Sequence, residues 1–98
     1  MARSLHTAAH RELVSAVKAM RKSARLSQRE LAERLGREQN FVGRIETGQR
    51  RIDLVEWVML CRACGVDAAV QVTQLVGQLA ALVPQIPSPR KASSGRTR

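Results

Sequence analysis

The chain has 98 residues, enough for one small domain with a modest core. Lys plus Arg total 17 against 8 Asp plus Glu, a net charge of +9 that favours a polyanionic partner, nucleic acid ahead of an anionic membrane surface. Phe41 and Trp57 are its only aromatics, which disfavours proteins that stack single-stranded bases on aromatic platforms.

No apolar run is long enough to cross a bilayer, and MARSLHTAAH lacks the apolar core of a secretory signal. The expectation is a cytoplasmic, nucleoid-associated protein whose Cys61 and Cys64 are reduced. Residues 1–9 have no periodic pattern and read as a flexible N-terminus. His6 and His10 have no third ligand close in sequence, so exposed histidines are expected there rather than a metal site. From His10 to Ala24 the apolar residues Leu13, Val14, Val17, Met20 and Ala24 recur at helical spacing, with the charged residues mostly on other faces. This is the first predicted helix.

Ser27 followed by Glu30 has the spacing of a capping box, which starts a second helix. Leu31, Ala32 and Leu35 share one face of it. Gly36 follows the last apolar residue, where a left-handed backbone is nearly free for glycine. A third periodic run, with Phe41, Val42 and Ile45 apolar, stops at Gly48. Two helices this close, with small Ala32 where their faces meet, suggest a helix-turn-helix.

The residues Ser27-Gln28, Leu31-Ala32, Leu35-Gly36, Phe41-Val42 and Ile45-Glu46-Thr47-Gly48 together resemble the lambda repressor and Cro type of helix-turn-helix, the XRE-like family. The resemblance weakens towards Val66 and does not cover the chain ends. It implies an all-α, five-helix, lambda-repressor-like DNA-binding domain, here residues 10–66. It also implies that Arg21 pairs with Glu46, and that Gln28 anchors a DNA phosphate. Taken alone, Arg21 equally fits a solvated basic helix face.

The residues opening the second motif helix are the ones presented to base edges in the major groove. Here they are Glu38, Gln39 and Asn40, with Arg44 one turn on from Asn40. Gln39 and Asn40 suit adenine and Arg44 suits guanine, so these three are the predicted base readers. Glu38 is assigned to the first helical turn, where its charge favours the helix dipole, and not to a base. Gly43 costs about 1 kcal/mol of helix propensity relative to alanine. Close approach to DNA and simple drift both account for it. Gln28, Arg29, Arg37, Arg50 and Arg51 are the candidate phosphate contacts. Phe41 fits either the core or a sugar-phosphate edge.

Family members often carry a proline near the end of the loop that Gly48 opens; this chain has none, which leaves the loop path open. Asp53 with Glu56 gives a second capping signal, opening a helix that runs to about Cys64 and stops at Gly65. Its apolar residues are Leu54, Trp57, Val58, Leu60, Cys61 and Cys64. Cys61-x-x-Cys64 lies at the helix end, without the further ligands zinc needs and without the N-terminal dipole of redox motifs. Core packing is the expectation, and no metal.

Asp67 caps a predicted fifth helix through Val83. Val72, Val76, Leu79 and Val83 form a stripe with Leu75 and Leu82 beside it, more apolar surface than a small domain buries. A homodimer through this helix, residues 67–83, is expected; folding back onto the core is the alternative, and both fit together. A membrane-lying helix is disfavoured because its polar side is Gln and Thr. Residues 84–98, rich in proline and basic residues without an acid, read as a disordered basic tail.

The functional expectation is a homodimeric repressor reading a near-palindromic operator in double-stranded DNA. An antitoxin that also binds a toxin and a low-specificity nucleoid protein are the rival readings. No Ser/His/Asp, paired-carboxylate or phosphate-loop arrangement points to an enzyme, and no cofactor is called for.

Overall fold

The computed structural model describes residues 7–87, and among them five helices and no strand. These are α1 (Ala8–Ser23), α2 (Gln28–Leu35), α3 (Phe41–Glu46), α4 (Leu54–Ala63) and α5 (Ala68–Ala80).

The start of each helix follows from a side chain. Thr7 caps α1 by accepting from the backbone N–H of His10, so the helix begins two residues before the apolar pattern does. Ser27 and Glu30 form the expected reciprocal box on α2, at 3.0 and 2.8 Å. Asp53 and Glu56 do the same on α4, at 2.7 and 3.1 Å. Asp67 caps α5 through the N–H of Val70. Gly36, at φ +68°, ends α2 in the left-handed conformation expected of it.

Two boundaries differ from the sequence reading. The helix after the turn begins at Phe41, not Glu38; the Phe41 N–H bonds the Glu38 carbonyl and closes a turn over Gln39 and Asn40. Glu38 therefore lies outside the helix, and its charge is not in the first helical turn. At the other end, α5 stops at Ala80 rather than Val83. Pro84 has no N–H for the Ala80 carbonyl and disfavours helical backbone at Val83. The N–H groups of Leu82 and Val83 both turn back to the Leu79 carbonyl instead.

The core draws on all five helices: Val17 and Met20, Leu31 and Ala32, Phe41, Val42 and Ile45, Trp57, Leu60, Cys61 and Cys64, and Leu75. Ala32 of α2 is fully buried, and a larger side chain there would overpack the core. Trp57 is buried and donates its indole N–H to the Ala68 carbonyl, tying α4 to the start of α5. Arg34 of α2 reaches the Ala63 carbonyl at the end of α4.

The cysteines pack in the core as expected. Cys61 is fully buried with its thiol 3.7 Å from the Met20 sulfur, and burial pushes its pKa up to about 11. Burial raises Cys64 as well. In both, burial favours the protonated thiol over the thiolate.

α5 packs against α1 and α4 and divides its apolar stripe. Leu75 is buried, and Val72 and Leu79 pack partly buried against the core. Val76, Leu82 and Val83 stay exposed, at 55%, 42% and 48%. Of the six residues expected at a dimer surface, Leu75 is thus spent inside the fold, and Val72 and Leu79 largely so. Leu54 and Val55 at the start of α4, both 68% exposed, extend the apolar surface and were not foreseen. Of the expected tail, residues 84–87 are exposed without regular structure, and residues 88–98 lie outside the described part, as do residues 1–6.

Candidate nucleic-acid interface

The start of α2 and the turn before α3 together line an open groove formed by Gln28, Glu38, Gln39, Asn40 and Gly43. Gln39 and Asn40 are exposed in the turn. Asn40 occupies the N-cap position of α3, yet its amide is not used to cap the helix. Among the described residues neither amide has a hydrogen bond, so each has donor and acceptor available for an outside group. Arg44 follows on the exposed side of α3, with its guanidinium 3.8 Å from the Glu38 carboxylate. At that distance, and with both side chains largely exposed, the pair holds Arg44 only loosely.

One network braces this groove from behind. Arg21 grips Glu46 with two hydrogen bonds, Nε to Oε2 at 2.7 Å and Nη2 to Oε1 at 3.0 Å. Its remaining Nη1 donates to the Leu26 carbonyl at 2.9 Å. The pair implied by family resemblance is therefore present, and it ties α1, the turn before α2 and the end of α3 into one unit. Burial pushes the Glu46 pKa up, but hydrogen bonds from Arg21 and Gln28 and the Arg21 charge outweigh it, and the carboxyl is held below its ordinary value.

Gln28 completes this network. Its side-chain N–H donates to Glu46 Oε1 at 2.9 Å, so its amide lies across α3. A Cβ at position 43 would stand 3.3 Å from the Gln28 side-chain oxygen. Gly43 thus leaves room for Gln28, a reason that the sequence alone did not supply.

A second network lies at the other end of α3. Arg50, in the loop, makes a fork on Glu56 with two bonds of 2.9 Å and also donates to the Arg51 carbonyl at 2.7 Å. Arg37, in the turn, reaches the same carboxylate at 3.3 Å. Both guanidinium carbons sit over the Phe41 ring, 4.1 and 4.7 Å from its centroid. The Arg50 hydrogen bonds lead the causes that lower Glu56 from its ordinary 4.5 to about 2, against a smaller opposing effect of burial.

These contacts settle Phe41 in the core and explain how the loop is held without proline. Arg37 and Arg50 each bond Glu56, with only part of the guanidinium left to donate. Arg29 is exposed in the first turn of α2, and Arg51 is exposed in the loop. Glu56 was read only as a helix cap, and its role as a collector of two arginines was missed.

Among the described residues no group of His, Cys, Asp and Glu side chains could hold a metal ion, and no helix is long and apolar enough to cross a membrane. A family model described as a helix-turn-helix domain matches residues 12–73. Among solved structures, the chain is similar to an XRE-family like protein from Pseudomonas syringae pv. tomato str. DC3000. The two share 34% identity and a TM-score of 0.70 over 78% of this chain and 93% of that one. No curated protein matches the chain.

Proposed function

The chain belongs to the XRE-like helix-turn-helix family of DNA-binding regulators, and on that footing we propose that it is a homodimeric repressor reading a near-palindromic operator. The observation that carries this reading is the open groove whose rim presents two unengaged amides, Gln39 and Asn40, one helical turn from Arg44. Set into the major groove, the amides match adenine N6 and N7, and Arg44 matches guanine O6 and N7. Gln28, Arg29 and Arg51 take phosphates, and Arg37 and Arg50 assist with the donors that Glu56 leaves them.

The exposed apolar residues support pairing with a second copy. Val76, Leu82 and Val83 carry that role, joined by Leu54 and Val55. Leu54 lines a shallow apolar groove with Leu13, Trp57, Val72 and Leu79. Two copies related by a twofold axis would address half-sites about 34 Å apart.

Arg44→Ala tests the base-reading assignment. Discrimination at one base position should fall by about 1–3 kcal/mol, while binding to random DNA changes little. An unchanged base preference in competition binding would sink the assignment.

A further inference from the structure

We infer that Arg25, which lies outside the contacts assigned above, is a further DNA-phosphate contact, retained at a position where it destabilises the fold. The inference rests on the DNA-binding reading above. Four described residues have a left-handed backbone: Gly36, Gly48, Gly65 and Arg25, the last at φ +60°. The three glycines adopt it at little cost, whereas an arginine meets a steric penalty from its Cβ. The geometry leaves no other choice of backbone. α1 ends with the Arg25 N–H bonded to the Lys22 carbonyl and the Leu26 N–H to the Arg21 carbonyl, the paired bonds of a helix end that requires this conformation.

No side-chain contact among the described residues offsets the penalty. Arg25 is exposed, and among the described residues its guanidinium makes no hydrogen bond or ion pair. The contrast with its neighbours is chemical. Arg21 and Arg34 are tied to other helices, Arg37 and Arg50 to Glu56, and Arg44 loosely to Glu38. Arg25 has its whole fork of donors available for an outside acceptor.

Its position is fixed relative to the groove. The Leu26 carbonyl is held by Arg21, Arg21 by Glu46, and Glu46 by Gln28 on the groove wall. Arg25 therefore stands next to an anchored residue, three positions ahead of Gln28 and four ahead of exposed Arg29 in the chain. A cation anchored there extends the phosphate-binding side of the reading surface, and its contact carries no sequence information.

The test compares Arg25→Gly and Arg25→Lys with the unaltered full chain, using thermal unfolding and the salt dependence of binding to a random-sequence DNA duplex. Arg25→Gly should melt about 4 °C higher, bind about threefold to tenfold more weakly, and lower the salt slope by about one. Arg25→Lys keeps both the strain and the charge, so its melting temperature and salt slope should match the parent. A raised melting temperature with an unchanged salt slope overturns the phosphate contact and leaves the proposed function standing. A lowered melting temperature for Arg25→Gly overturns the strain, because the arginine then stabilises the end of α1. Failure of the unaltered chain to bind duplex DNA overturns both readings.

Discussion

Glu46 ends α3 and Glu56 lies in the first turn of α4, and each gathers donors from distant parts of the chain, yet they do different things. Glu46 is the more enclosed: its side chain is 3% exposed and that of Arg21 is 11%. The Glu56 side chain is 13% exposed, but its partners Arg37 and Arg50 stand about one third in solvent, at 32% and 31%. Depth decides the role. A buried pair cannot lose one member without leaving an unsatisfied charge, so Arg21 and Glu46 are part of the fold itself. The Glu56 cluster holds a turn and a loop in place through side chains that still face outward, so its arginines can serve the fold and a phosphate together. One end of α3 is thus braced by a buried pair, and the other by a cluster whose arginines stay partly in solvent.

Arg21→Ala gives the largest break. It should cost about 3–5 kcal/mol of stability, measured by urea unfolding, because Glu46 is left buried without its cation. A cost below about 1 kcal/mol would move this pair into the same class as the Glu56 cluster.

Glu56→Gln should cost less, about 1–2 kcal/mol at neutral pH. The acid limb sharpens the comparison. The folded Glu56 pKa is depressed from 4.5 to about 2, so its contribution is fully present above pH 4.5 and is lost as pH falls towards 2. The variant should flatten that part of the stability profile. Glu30 and Glu46 are also lowered, so some acid dependence remains. An acid limb unaffected by the substitution would remove Glu56 from the account.

Gly43→Ala is the subtlest. Better helix propensity offers at most about 1 kcal/mol, offset by the 3.3 Å approach to Gln28. Because the obstacle is the end of a flexible side chain, Gln28 should swing away from Glu46 with little change in stability. DNA affinity should fall severalfold while base preference holds. Unchanged affinity would mean that the Gln28 orientation does not matter for binding.

The parts of the molecule that rest on local chemistry were legible in the sequence. Ser27 with Glu30, Asp53 with Glu56, Asp67 and Gly36 act on backbone groups a few residues away, so spacing was enough to find them. The core positions Val42, Ile45, Leu60 and Cys61 followed from periodicity. The start of α1 was missed because Thr7 has no glutamate three residues on to complete a box. The start of α3 was misjudged because Glu38, Gln39 and Asn40 suit a helix and a turn alike. Glu56 gathers Arg37 and Arg50 from 19 and 6 residues away, through long side chains whose directions no local pattern encodes. The division of the α5 stripe depended on how the helix docks on α1 and α4, which periodicity alone does not decide. Family resemblance supplied the Arg21–Glu46 pair, which spacing would not have singled out.

Selection of bound sites from a random pool of duplex DNA tests the central claim most directly. The account predicts enrichment of a near-palindrome with half-sites about one helical turn apart, roughly 34 Å, and loss of preference at one position in each half when Arg44 is replaced by alanine. A pool that binds without enrichment, or enriches a single site indifferent to Arg44, would contradict it.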